Sequence, residues 1–99
     1  MGTLVQFRRE VHANPELSFR EIATTERLMN RLREAGMNPV ACEGTGCYVD
    51  IGSGPFAVAL RADIDALPIV EQTDLPYAST VPGVMHACGH DIHQTVMLG

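Results

Sequence analysis

The hydrophobic pattern of this chain changes from helical to extended at residues 36–39, GMNP. This change restricts the fold to one in which helices are layered on a sheet. Before it, Leu4, Phe7 and Val11 recur at helical spacing and predict a short amphipathic helix over residues 3 to about 13. The residues that follow GMNP are apolar in runs typical of strands.

A second helix is predicted after the segment ANPELS. Pro15 disfavours the helical conformation at Asn14, so the first helix ends there. Ser18 and Glu21 have the spacing of a capping box that begins a new helix, and Gly36 suits its C-terminal cap. The predicted apolar face consists of residues at helical spacing, namely Ile22, Thr25, Leu28, Met29, Leu32 and Ala35.

Three strands are predicted next, at residues 40–42, 47–52 and 56–65, separated by the glycine-rich turns EGTG and GSGP. Residues 56–60, FAVAL, are apolar at every position, which predicts a strand buried on both faces in the middle of a sheet. The predicted fold class is therefore α/β: two helices, a sheet of about three strands and the start of a further helix.

That further helix is predicted to begin near Asp91, which suits an N-cap. It follows a proline-punctuated segment at residues 66–85 that is predicted to be mostly irregular. A loop of this length inside a compact domain is usually functional, or else indicates that its elements have been assigned wrongly. This loop joins the end of the predicted central strand to a cluster of histidines.

The charge and cysteine content exclude several classes of protein. The net charge is −5, which argues against binding to nucleic acid or to an anionic membrane surface. The chain contains no apolar run near the ~20 residues of a membrane helix and no signal-peptide pattern, so we expect a cytoplasmic protein. Its three cysteines, Cys42, Cys47 and Cys88, are an odd number, and we expect free thiols rather than a disulfide framework.

The segment HACGHDIH at residues 86–93 is the first candidate site. Cys88 and His90 carry ligand types that zinc prefers, and their spacing places both on one side of an extended segment. Gly89 between them allows a tight turn around an ion. His86 shares the same alternation, whereas His93 joins that face only if a helix has begun.

Two other interpretations of this segment stay open at the level of spacing. In one, Cys88 is a buried apolar side chain and the histidines are hydrogen-bonded near the surface. In the other, Cys88 is a nucleophile paired with His86 or His90. One Cys-x-His pair also lacks the four ligands of a closed zinc site.

The segment LRADIDALP at residues 60–68 is the second candidate site. Asp63 and Asp65 lie two positions apart at the carboxyl end of the predicted central strand, so their carboxylates project from one face. The alternative is structural, with Arg61 paired to one carboxylate and the other capping a turn. His12 lies in the last turn of the first predicted helix, where the helix dipole favours a cation, and needs no catalytic role.

Four segments in this order, FRREVHANPELSFRE, ALRADIDALP, EQTDLPYAS and MHACGHDIH, resemble the start of a family of metal-dependent amidohydrolases. The family includes hippurate hydrolase, N-acyl-amino-acid amidohydrolases, auxin-conjugate hydrolases and N-acetyldiaminopimelate deacetylase. The resemblance runs from about Leu4 to Gly99. It implies hydrolysis of the amide bond of an N-acyl amino acid or short peptide at a site with two divalent ions, zinc or manganese, with cobalt or nickel also compatible.

The resemblance also implies roles for individual residues. Cys88 matches the thiolate ligand that can bridge the two ions, and His90 matches a ligand to one of them. Asp65 matches the acidic residue that orients a ligand, and Asp63 stands where related peptidases place a metal-binding histidine. The remaining residues expected near the site are His86, Asp91 and His93.

Residues 1–99 correspond in this family to the N-terminal portion of a catalytic domain layered like that of zinc-dependent exopeptidases. The family's lid domain, which often mediates dimerisation into a homo-oligomer, and its general-base glutamate are expected outside these residues. We therefore expect no appreciable turnover from the 99-residue chain alone. The alternative is a non-catalytic fragment that binds metal or self-associates.

Overall fold

The computed structural model describes residues 2–55 and 58–99, and over these residues it contains three helices and one small sheet. The elements in chain order are helix α1 (Gly2–Ala13), helix α2 (Ile22–Glu34), strand β1 (Val40–Ala41), strand β2 (Cys47–Tyr48) and helix α3 (His90–Leu98). This confirms the α/β class and the order of its elements. None of these helices is both long and apolar enough to cross a membrane.

The core lies beneath α1. Phe7 and Val11 are 1% and 0% exposed and pack with Leu28 of α2, as the helical spacing predicts. Half-buried side chains from the other elements complete the cluster, namely Cys47, Ile64 and Leu98. Burying a side chain of the size of phenylalanine or valine contributes about 1.5–3 kcal/mol, so these contacts hold the three helices together.

The start of α2 differs from the predicted capping box. Glu21 occupies the N-cap position but makes no capping hydrogen bond through its side chain. The cap comes from Glu16, whose Oε1 accepts from the backbone N–H and the hydroxyl of Thr24, both at 2.6 Å. The other oxygen, Oε2, accepts from the N–H of Ala23 at 3.2 Å. The capping-box prediction for Ser18 is wrong because its hydroxyl donates to Asp65 instead.

The buried face of α2 is also rotated from the predicted one. Thr24, Thr25, Leu28 and Met29 are buried, whereas Ile22 is 72% exposed. Thr25 donates to the Glu21 carbonyl at 2.6 Å and its hydroxyl accepts from the N–H of Gly46 at 2.7 Å. A buried threonine is stable here because both hydrogen bonds are made, and the second one docks the β1–β2 turn on the helix.

The end of α2 agrees with the prediction. Gly36 has φ +84°, a left-handed conformation that glycine adopts without steric cost. Its N–H donates to the Arg33 carbonyl at 2.9 Å, and the N–H of Met37 donates to the Leu32 carbonyl at 3.0 Å. These two bonds satisfy carbonyls that the helix leaves unpaired.

The sheet is smaller than predicted. β1 and β2 pair antiparallel, with Val40 opposite Tyr48 and Ala41 opposite Cys47. Of the third predicted strand, residues 56 and 57 lie outside the described residues, and residues 58–65 form no strand. Val58 and Leu60 are 78% and 79% exposed. The strand prediction is wrong for residues 58–65, and the prediction of burial on both faces is wrong for residues 58–60. A central strand needs pairing partners on both sides, and β1 and β2 pair only with each other.

The segment at 66–85 returns to α1 before α3 begins. It contains no helix or strand, and the N–H and hydroxyl of Thr80 both donate to the Ala13 carbonyl at 2.8 Å. Gly89, with φ +83°, is the N-cap of α3, and His90 is its first residue. The prediction of Asp91 as N-cap is wrong by two positions, because this carboxylate turns inward to partners on α1.

Candidate metal centre

His90 lies between the two aspartates of the RADIDALP segment. Its Nδ1 is 2.9 Å from both the backbone oxygen and the carboxylate Oδ1 of Asp65. On the other side of the ring, Nε2 is 4.0 Å from Oδ2 of Asp63. An imidazole that donates from Nδ1 to oxygen has its lone pair on Nε2, the arrangement found in histidines that ligate metals.

Asp65 is held from two directions. Ser18 donates its hydroxyl to Oδ2 at 2.7 Å, while Oδ1 faces His90. The hydroxyl of Ser18 is the largest cause of a lowered pKa at Asp65; partial burial opposes it, and the His90 contact adds to it. The carboxylate is therefore ionised at neutral pH, when it accepts hydrogen bonds from both neighbours.

Asp63 has a different environment. Nη2 of Arg61 lies 2.6 Å from its Oδ1, and the Arg61 side chain is 87% exposed. An exposed pair of this kind contributes little to stability. This ion pair between Arg61 and Asp63 is the one expected if Asp63 has a structural role. It leaves Oδ2 of Asp63 facing His90.

The remaining candidates of the HACGHDIH segment separate in space. Cys88 is exposed, so its interpretation as a buried apolar side chain is wrong. His93 is exposed, with its ring centroid 5.7 Å from that of His90. His86 is 4% exposed; neither ring nitrogen has a hydrogen-bond partner in the described part of the chain, and burial lowers its pKa.

The donor set suits a metal ion only in part. Within residues 2–55 and 58–99, no three side chains among His, Cys, Asp and Glu come together in a group that could hold an ion. The exposed thiol of Cys88 and the free Nε2 of His90 are donors of the type that zinc prefers. The described residues therefore fit part of a metal site.

A second cluster of charged side chains is buried and includes Asp91, the residue that follows His90 in the chain. His12 Nδ1 is 2.7 Å from Oδ2 of Asp91, and its Nε2 is 2.9 and 3.0 Å from the two oxygens of Glu71. Arg8 forms an ion pair with the same Asp91 oxygen at 2.9 Å. The side chains of His12, Glu71 and Asp91 are each at most 4% exposed. The cluster joins α1, the 66–85 segment and the first turn of α3.

Glu71 is the member of this cluster with a strongly shifted pKa. Burial raises the pKa, but donors around the carboxylate outweigh it and lower the value to about 2. These donors are the Thr73 hydroxyl, His12 and the Ser79 N–H, the last at 2.9 Å. Each nitrogen of the His12 ring thus faces a carboxylate, Asp91 at Nδ1 and Glu71 at Nε2.

Sequence reasoning missed this cluster. It interpreted His12 as a cation at a helix end, expected Asp91 as a cap and did not single out Glu71. The partners are separated by 79 and 59 residues, and no local pattern connects them. The available signal was general: buried ionisable groups need partners of opposite charge.

The family model described as peptidase family M20/M25/M40 matches residues 59–99, which contain the two aspartates and the HACGHDIH segment. Over these residues the chain is similar to that family. The M20 match confirms the resemblance on which the expected roles of Asp65, Cys88 and His90 depend, although the roles themselves stay predictions.

Several curated proteins match nearly the whole chain. An N-acetyl-L-cysteine deacetylase of Bacillus subtilis is 52% identical over 101 residues, and IAA-amino acid hydrolase ILR1-like 5 of Arabidopsis thaliana is 48% identical over 99 residues. A Rhodococcus jostii protein described as glutamate–cysteine ligase 2-3 is 52% identical over 98 residues. The matches cover 97% of this chain but only 24%, 22% and 12% of these relatives, respectively.

A solved structure shares the fold. A Bacillus subtilis protein, described as a dinuclear metal binding peptidase from the M20 family, superposes with a TM-score of 0.91 at 45% sequence identity. The superposition covers 98% of this chain and 28% of that protein. The chain thus has the conformation of about a quarter of an M20 peptidase.

Proposed function

We propose that this chain supplies part of the dinuclear metal centre of a hydrolase that cleaves the amide bond of N-acyl amino acids. The observation that carries the proposal is the His90 ring, held through Nδ1 by Asp65 with Nε2 free to bind an ion. The names of two relatives support the reaction, since one is a deacetylase of N-acetyl-L-cysteine and the other a hydrolase of IAA-amino acids.

In this proposal each residue has a separate role. His90 binds one ion through Nε2, and Cys88 binds through a thiolate that is exposed in this chain. Asp65 fixes the His90 ring, and Asp63 lies close enough to contribute negative charge beside Nε2. When bound, two divalent ions polarise the amide carbonyl and lower the pKa of a bound water. Zinc suits thiolate and imidazole, while manganese, cobalt and nickel are compatible with a site of this family.

Metal binding tests the proposal directly. Zn²⁺ and Mn²⁺ are titrated into the chain in competition with a chromophoric chelator, and the same titration is made on Cys88→Ala and His90→Ala. Each variant should bind at least about tenfold more weakly, because each removes a donor. Cys42→Ala is the matched control, since it removes an exposed free thiol far from His90 in sequence. Unchanged affinity in His90→Ala would contradict the proposal.

Turnover by the chain itself is a separate question. The resemblance assigns two ligands and no general base to these 99 residues, so we expect no metal-stimulated hydrolysis of N-acetylcysteine or other N-acyl amino acids by this chain alone. Measurable turnover that disappears in His90→Ala would show that these residues contain a more complete site than we propose.

A second candidate function is self-association. It is favoured by Val58 and Leu60, which are more than three-quarters exposed in a segment without strand partners. Exposed apolar segments of extended backbone tend to pair with other chains. Sedimentation across a range of concentrations tests it, because a folded species that stays monomeric at every concentration would exclude self-association.

A further inference from the structure

Ser18 contacts the candidate metal centre without contacting a proposed ligand. Its hydroxyl donates to Oδ2 of Asp65 at 2.7 Å, and the other oxygen, Oδ1, lies 2.9 Å from Nδ1 of His90. The three side chains thus form a line, from hydroxyl to carboxylate to imidazole. Because a carboxylate is planar, a donor on one oxygen restricts the direction in which the other oxygen points.

The backbone holds Ser18 and Asp65 next to each other. Leu17 and Ala66, their chain neighbours, form a parallel bridge, and the N–H of Ala66 donates to the Glu16 carbonyl at 2.8 Å. Glu16 is itself fixed, since its side chain caps α2. The distance between the two side chains is therefore set by backbone contacts and does not depend on the Ser18–Asp65 bond alone.

The residue after Ser18 shows how tightly this turn is defined. Phe19 has φ +64°, a left-handed conformation that bulky residues rarely adopt, and its side chain is 90% exposed. Side-chain packing therefore does not hold Phe19 in this conformation. The turn is closed instead by the N–H of Arg20, which donates to the Leu17 carbonyl at 3.0 Å. A strained residue persists where its surroundings dictate the backbone, and here that backbone directs the Ser18 hydroxyl at Asp65.

We propose that Ser18 is a positioning residue for His90: it orients Asp65 so that the carboxylate holds the His90 ring with Nε2 directed at the ion. This inference rests on the proposed function, in which His90 is a ligand. It does not follow from the family resemblance, which assigns no role to Ser18. Ser18 is exposed, and solvent reaches its hydrogen bond to Asp65. If this bond had only a local role, removing the Ser18 hydroxyl would leave the His90 ring unchanged.

The test compares Ser18→Ala, Ser18→Thr and, as a matched control, Ser53→Ala, which removes the hydroxyl of another exposed serine. The first measurement is made without metal: the ¹⁵N chemical shifts of the His90 ring report which nitrogen carries the proton. The full chain should show Nδ1–H, and Ser18→Ala should shift toward a mixture of both tautomers. Ser18→Thr retains a hydroxyl and should keep the shifts of the parent chain, as should Ser53→Ala.

The second measurement is Zn²⁺ affinity by chelator competition. Ser18→Ala should bind about three- to tenfold more weakly, somewhat less than the 10–100-fold cost typical of removing a residue that contacts a ligand directly. Ser18→Thr and Ser53→Ala should stay within about twofold. Urea midpoints of all three variants should match the parent, so that a change in affinity is not a change in folding.

Unchanged His90 shifts and unchanged Zn²⁺ affinity in Ser18→Ala would overturn the role of Ser18 while leaving His90 as a ligand. Failure of the proposed function has a different signature, namely wild-type Zn²⁺ affinity in His90→Ala. In that case the metal-free ¹⁵N measurement still decides whether Ser18 orients the ring.

Discussion

Replacing Glu71 with glutamine should remove a defined part of the acid sensitivity of the fold. Glu71 is buried against His12, and its pKa is lowered from 4.5 to about 2 by donors that outweigh the effect of burial. A carboxyl group whose pKa is depressed in the folded state stabilises the protein above its unfolded pKa. That contribution is lost as the pH falls from 4.5 through about 2, because the unfolded chain then binds the proton first.

The size of the effect follows from the shift. Each unit of pKa difference corresponds to about 1.4 kcal/mol, so Glu71 contributes roughly 3 kcal/mol to the free energy of unfolding near neutral pH. With the two pKa values above, about 2 kcal/mol of this is lost between pH 6 and pH 3. Glutamine does not titrate. Glu71→Gln should be less stable than the parent at pH 6, and the difference should shrink by about 2 kcal/mol at pH 3.

Urea unfolding followed by far-UV circular dichroism at both pH values measures this difference. The other carboxylates, including Asp65 with its lowered pKa, titrate in both proteins and cancel in the comparison. Glu26→Gln is the matched control because Glu26 is exposed on α2, and its difference from the parent should change little with pH. A difference between Glu71→Gln and the parent that stays constant from pH 6 to pH 3 would refute the reasoning.

Three further substitutions test other contacts. His12→Leu leaves two buried carboxylates facing each other and should lower the free energy of unfolding by about 3–5 kcal/mol in urea titrations, whereas the exposed control His93→Leu should have little effect. Glu16→Ala removes the cap of α2 and should cost about 1 kcal/mol, with Glu26→Ala as control; equal losses would contradict the capping role. Gly36→Ala forces a β-carbon into a left-handed conformation and should cost about 1 kcal/mol, and an unchanged melting temperature would argue against that conformation in solution.

Local sequence patterns predicted the features that depend on neighbours in the chain. The spacing of Phe7 and Val11 predicted α1 and its buried face, and Gly36 predicted the end of α2. The free thiols also agree with prediction over the described residues. Chemical content was readable in the same way, since the ordered segments around Asp65 and His90 resemble a family of metal-dependent amidohydrolases, and the match of residues 59–99 to peptidase family M20/M25/M40 confirms that resemblance.

Only the tertiary structure decided which polar groups meet. Asp91 had the local features of a helix cap, but its carboxylate is buried against His12, 79 residues away, because charge pairing outweighs capping for a buried group. Ser18 was predicted to cap α2 but donates to Asp65 instead, and the N–H groups at the start of α2 are capped by Glu16, for which the sequence predicted no role. Residues 58–60 belong to an apolar run with the composition of a central strand, but a strand exists only where neighbouring strands supply its hydrogen bonds, and composition does not contain that information.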